Sequence, residues 1–316
     1  MRNSVKLILL ALIAIGASML YLFHDLNGSF DYALPKRAMK VAAMVITGVA
    51  IAYSTVVFQT ISHNRILTPS IIGLDALYML LQTVLIFFLG SGHVTVVNKQ
   101  VNFILTVAIM VVFALLLYRL LFKKGNQPIY FLLLVGIIVG TFFSSITTFL
   151  QVLIDPNEFQ VVQDRMFASF NNINTELVWL AIGLIVLLIL YAWRFTPYLD
   201  VLSLGRENAI NLGVSYDSIV KKMLVLVAVF ISISTALVGP LTFLGLIVAN
   251  LSYQAFKTYK HSVLISGAIL ISVISLVGGQ WIVERVFTFS TTLSVIINFV
   301  GGVYFIYLLL KESRST

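Results

Sequence analysis

Ten long apolar runs, separated by short polar loops, recur along this chain. Drawn at 5–23, 37–60, 69–90, 101–122, 129–152, 176–195, 219–238, 241–256, 262–284 and 291–311, they take up most of the 316 residues. A helix needs roughly 20 mostly apolar residues to cross the hydrocarbon core of a bilayer. Composition agrees: 60% of residues are hydrophobic and 10% charged, against about 25% charged in a soluble domain. The expected fold class is therefore all-α, a polytopic membrane protein of about ten transmembrane helices. Little chain is left for a soluble domain, so residues 1–316 are read as a single transmembrane domain. The first run follows Arg2 and Lys6 as a signal peptide would, but continues to Phe23 with no good cleavage site, and is read as an uncleaved span. The eighth run is short and follows Gly239-Pro240, a pair that should break the preceding helix.

The net charge of +8 would suggest nucleic acid in a soluble protein. Here the charge lies in short loops, so orientation in a lipid bilayer explains it and no nucleic acid partner is expected. With the N-terminus inside and all ten runs crossing, fourteen of the twenty Lys and Arg fall inside. The other six are Lys36, Arg37, Lys40, Lys99, Arg165 and Arg285. The acids lean the other way, with Asp25, Asp31, Asp155, Glu158, Asp164, Glu176 and Glu284 outside. The positive-inside bias thus predicts a multi-pass protein of the cytoplasmic membrane with both termini cytoplasmic. Removing the eighth run would invert everything after it. Segment 153–175, the largest outside, has room for a short surface helix.

Several chemistries are missing. There is no cysteine, which excludes disulfides and thiolate metal ligands. No G-x-x-x-x-G-K-[ST] loop is present to cradle nucleotide phosphates, so any ATP-driven work needs a separate chain. His24, His63, His93 and His261 are scattered over loops and read as solvated side chains. No Ser-His-Asp set stands out. The chain is not expected to be an enzyme, and no catalytic residue, metal site or cofactor is assigned.

Three segments carry information. In 37–77, two runs meet at a tight turn holding Asn64 and Pro69. Proline suits the first turn of a returning helix, Gly48 and Gly73 allow close helix contact, and Gln59 is polar near the inner edge. A generic helical hairpin explains much of this. Segment 202–214, LSLGRENAINLGV, is too polar to span, and Gly205 and Gly213 bracket one or two helical turns. It is either a rigid plug for a partner's groove or an ordinary interfacial helix. The third segment, 238–256, holds the Gly239-Pro240 break.

These segments resemble the FecCD-type permeases, the siderophore and cobalamin importers, from about Arg37 to Lys311. Arg37, Lys40, Gly48, Gln59, Asn64, Leu67, Pro69 and Gly73 fall on the first motif. Met39 departs from a proline, Arg65-Ile66 follow Asn64 in place of a proline, and Asp75 stands where a small or hydroxylic residue is usual. Leu202, Leu204, Gly205, Ala209, Leu212 and Gly213 fall on the second. Gly239, Pro240, Phe243, Gly245 and Leu246 fall on the third, with Ala249-Asn250 replacing Pro-His as in the branch handling catecholate siderophores, including petrobactin and anguibactin types.

The resemblance implies the type II ABC importer fold of the cobalamin importer permease. It implies transport of ferric siderophore with a second permease subunit (a heterodimer in this branch), two copies of a cytoplasmic ABC ATPase and an extracytoplasmic siderophore-binding protein. Leu204, Gly205, Arg206, Ala209, Leu212 and Gly213 would couple to the ATPase. Arg37, Lys40 and Arg285 are candidates for docking the binding protein, or else serve as interfacial anchors, or Arg285 merely pairs with Glu284. Thr141, Ser144, Ser145 and Thr148 share one helical face and either line the pathway or pack against another helix. Cobalamin or haem as substrate stays open. So does a secondary transporter driven by an ion gradient, although such proteins favour charge pairs at the midplane and the one candidate here, Asp75, is poorly placed about one turn inside the start of the third run.

Overall fold

The computed structural model describes residues 3–24, 30–122, 129–171 and 173–313. Arg2, Asp25, Lys123, Lys124 and Arg314 of the charge count lie outside them. Eight described helices are long and apolar enough to cross a membrane. They are α1 (Asn3–Phe23), α2 (Phe30–Ser62), α5 (Lys99–Phe122), α6 (Ile129–Leu153), α8 (Thr175–Trp193), α11 (Tyr216–Val238), α13 (His261–Arg285) and α14 (Leu293–Ser313). The other two expected runs are the shorter apolar helices α3 (Leu74–Leu89) and α12 (Leu244–Phe256). Short helices fill the loops: α4 (Val94–Val97), α7 (Pro156–Met166), α9 (Thr196–Leu202) and α10 (Arg206–Asn211). The surface helix expected within 153–175 is α7.

Two boundaries differ from the expected ones. Helix α2 starts at Phe30, seven residues before the expected 37, and carries Pro35 inside it, where the missing N–H leaves Asp31 O without its helical partner. Helix α3 starts only at Leu74, since Pro69–Ile72 forms a 3-10 turn that ends at Gly73 with φ +89. A Cβ on Gly73 would lie 3.1 Å from the Cα of Gly140, so the turn and α6 meet backbone to backbone.

The core is built around α2, which is buried without interruption from Ala50 to Ile61. Helices α11, α12 and α13 surround it. Small side chains make that density possible. A Cβ on Gly245 would lie 2.1 Å from Thr55 Oγ1, so α12 is set against α2 by the missing side chain. Helices α1, α6, α8 and α14 instead expose large apolar residues, among them Leu12, Phe142, Leu187 and Phe299. A helix apolar all round belongs in lipid or against a partner.

The helices alternate in direction, which gives the bundle two ends. One, called the basic end, holds the start of α1, the α2–α3 turn, α9 and α10, and the α12–α13 turn. The opposite end holds α4, α7 and the C-terminus of α13.

Candidate functional site

At the basic end, α8 runs through a single turn into α9, and α9 delivers the chain to α10. The α9 side chains Leu199 and Leu202 are fully buried, which anchors this foot in the bundle. Gly205 then adopts φ +95, ψ 164, a backbone state that costs an L side chain dearly. Ala209 is fully buried and holds α10 down. The helix closes at Gly213, φ +81, where Gly213 N–H donates to Ile210 O at 2.9 Å and Val214 N–H to Ala209 O at 3.0 Å. That is a glycine C-terminal cap. The exposed Arg206 reaches Asp217 at 3.4 Å, a pair worth little in water.

The tip built this way is rigid and outwardly apolar. Leu204, Ile210 and Leu212 are 55%, 46% and 62% exposed. Clustered exposed aliphatics on a polar surface mark an interaction site. Ile210 was not singled out from the sequence; its place between the two capped ends of α10 carries the signal.

The opposite end brings the three docking candidates into one cluster. Arg37 donates to the carbonyls of His24 at 2.7 Å and Leu22 at 3.3 Å, capping the C-terminus of α1, where cations are favoured. Arg285, 248 positions along, reaches the same His24 carbonyl at 3.4 Å. Lys40 pairs with Glu284 at 3.0 Å. Glu284 also accepts from Tyr21 Oη at 2.7 Å and Gln280 Nε2 at 3.0 Å. The partner of Glu284 is thus Lys40, not its neighbour Arg285. A second network anchors α7. Its Arg165 donates to the side-chain oxygens of Gln82 and Asn102 and to Val96 O, while Glu158 accepts from Ser91 N and Oγ. Gln82 and Asn102 are polar side chains in apolar runs, and that was the overlooked signal.

On α6, Thr141, Ser144, Ser145 and Thr148 are all exposed. The hydroxyls of Thr141, Ser145 and Thr148 donate to their own helix at 2.8–3.0 Å. The helix instead packs through Gly136 and Gly140 against Ile72 and Gly73. Among the described residues these four therefore make no packing seam. Inside the bundle, Asp75 accepts from Thr242 Oγ1 at 3.1 Å, at the break between α11 and α12. Thr55, which lines the same small space, sits seven residues from the end of α2, or about 10 Å inward. Asp75 therefore lies about 10 Å inside the end of α2.

The largest difference from expectation concerns a histidine. His261, expected to be a solvated loop side chain, is the first residue of α13 and 4% exposed. It contacts Asp200 and Thr60.

The profile of the FecCD transport family matches residues 5–311. The chain belongs to this family. Two curated relatives come from Bacillus subtilis (strain 168). The Petrobactin import system permease protein YclO is 62% identical over 315 residues, 100% of both chains. The Petrobactin import system permease protein YclN is 27% identical over 285 residues, 87% of this chain and 85% of its own. A solved structure reported as a metal-chelate type ABC transporter in an inward-facing conformation superposes with a TM-score of 0.85, covering 98% of this chain and 99% of its own. At 20% identity that likeness speaks for the fold, the type II importer fold that the motifs imply.

Proposed function

We propose that this chain is a permease subunit of an ABC importer that carries a ferric siderophore of the petrobactin class across the cytoplasmic membrane, driven by a separate ATPase. The observation that carries this reading is 62% identity, end to end, with a permease named for petrobactin import. In this reading residues 1–316 form one membrane domain, all ten runs cross, and the basic end faces the cytoplasm. The tip of Leu204, Gly205, Arg206, Ala209, Leu212 and Gly213 seats in the ATPase, with its three exposed aliphatics as the apolar contact. Arg37, Lys40 and Arg285 form the outer cluster that meets acidic side chains of a siderophore-binding protein, a contact that speeds association and fixes register. The exposed hydroxyl face of α6 looks toward a second permease and lines the pathway between them. That second permease is a different chain, as suggested by two distinct relatives of one organism that share the petrobactin import name.

Growth on single iron sources tests the reading. A strain lacking this chain loses growth on ferric petrobactin and regains it with the chain restored. Unimpaired growth on ferric petrobactin, with a defect on haem, cobalamin or a hydroxamate chelate, would overturn the substrate. Uptake that persists without any ATPase would overturn the class.

A further inference from the structure

The α9–α10 foot is joined to the rest of the bundle by a chain of short hydrogen bonds with no counterpart in the tip's sequence motif. Asp200, in the middle of α9, accepts twice through one carboxylate oxygen: from the backbone N–H of His261 at 2.7 Å and from its ring Nδ1 at 2.6 Å. The first bond satisfies one of the orphan N–H groups at the start of α13, and a carboxylate there is favoured by the helix dipole. The ring is turned so that Nε2 lies 2.8 Å from Thr60 Oγ1, on the last turns of α2. Residues 60, 200 and 261, from three helices, thus form one line of carboxylate, imidazole and hydroxyl, buried at the imidazole and hydroxyl and partly exposed at the carboxylate.

Two features make this line more than a staple. Thr60 Oγ1 is also 2.8 Å from Val56 O in its own helix. A hydroxyl has one hydrogen, and with Nδ1–H given to Asp200 the Nε2 of a neutral ring is an acceptor, so Thr60 then donates to Nε2 and releases Val56 O. In the imidazolium Nε2–H donates to Thr60, which donates to Val56 O, so the joint between α13 and α2 has one arrangement for each protonation state of the ring. In addition, His261, Thr60 and Ser203 line a polar cavity of about 610 Å³ at the basic end, so packing does not clamp the line on that side. The helices it joins are the ones a moving foot must drive. Helix α2 is the buried centre of the fold, and α13 packs along it. The turn leaving α2 is itself held at the Arg65 carbonyl by Gln59 Nε2 at 2.7 Å and Asn250 Nδ2 at 2.9 Å.

We propose that Asp200, His261 and Thr60 are positioning residues that transmit displacement of the α9–α10 foot to the ends of α13 and α2. This rests on the reading of 202–214 as the ATPase grip. The test uses the complete complex in proteoliposomes, with both permeases, the ATPase and the siderophore-loaded binding protein. Uptake and stimulated ATP hydrolysis are measured on the same preparation. Asp200→Ala and His261→Ala should each lower the siderophore moved per ATP about tenfold, the scale set by losing a hydrogen bond to a charged group. ATPase association should stay at the wild-type value, and the loss of yield should persist at temperatures well below each variant's melting temperature, which the lost bonds lower. Asp200→Asn, which keeps an acceptor oxygen, should recover most of the yield. The double variant should be no worse than the worse single, because the two act as one unit. An unchanged yield per ATP in both single variants overturns the proposal. So does a loss of uptake that only follows loss of assembly or of melting temperature, since a merely structural role predicts that pattern. The underlying grip is read separately: if Leu212→Asp leaves ATPase association intact, the grip fails and takes the transmission with it.

Discussion

The two ends of this bundle handle their polar and apolar groups in opposite ways. At the basic end the foot presents Leu204, Ile210 and Leu212 outward, and Arg206, its own cation, is spent only on a weak exposed pair. At the opposite end charges are stitched inward. Lys40 is tied to Glu284, Arg37 to the end of α1, Arg165 to Gln82 and Asn102, and Glu158 to Ser91. The contrast teaches that cation counts alone do not locate a binding face. The end richer in Lys and Arg binds, in our reading, through aliphatic side chains, and the end poorer in them keeps its own well bonded.

The largest effect should come from spoiling the apolar tip. Leu204→Asp or Leu212→Asp places a charge where a desolvated contact is proposed. Either should cut co-purification with the ATPase at least tenfold, since burying one leucine contributes about 1.5–3 kcal/mol. Retained co-purification would put the two ends on the same footing. Next comes the stitching of the other end. Glu284→Ala removes the carboxylate from Lys40 and Tyr21, leaves Gln280 and Lys40 with Asn171 as their remaining acceptor, and should lower stability by about 1–3 kcal/mol, visible as a lower melting temperature of the detergent-solubilised protein. An unchanged melting temperature would mean that the cluster is not a structural one.

Smaller still is the effect of Arg37→Glu with Arg285→Glu on binding-protein association. The loss should be several-fold at low salt and should shrink as salt screens the contact. A loss independent of salt would point to a collapsed α1 terminus in place of a docking surface. The smallest effect should follow Thr141→Val and Ser145→Ala on α6. Among the described residues their hydroxyls bond to their own helix, so stability should move by less than about 0.5 kcal/mol while uptake changes. A loss of stability with unchanged uptake would make this face a packing surface.

The fold was largely legible because its signals are local. Ten apolar runs and the Gly239-Pro240 break place the helices, and Gly205 and Gly213 bracket α10 where the structure has it. What escaped was non-local. Nothing near His261 in sequence announces Asp200, sixty-one residues earlier, or Thr60 beyond it. Arg165 looked like one more outer cation until Gln82 and Asn102 supplied its acceptors. Such side chains are polar residues in or beside apolar runs, and their need for partners is visible in sequence while the identity of the partners is not. The 3-10 turn before α3 escaped for a similar reason, since it depends on Gly140 of α6 approaching Gly73.

The chain has no cysteine, so single cysteines report one position each. The most direct measurement places one at Leu212 and another at Ser91, in whole cells, and labels them with a membrane-impermeant maleimide. The account predicts that Ser91→Cys is labelled in intact cells, that Leu212→Cys is labelled only after the membrane is opened, and that the latter cross-links to the ATPase. Labelling of Leu212→Cys from outside intact cells would contradict it.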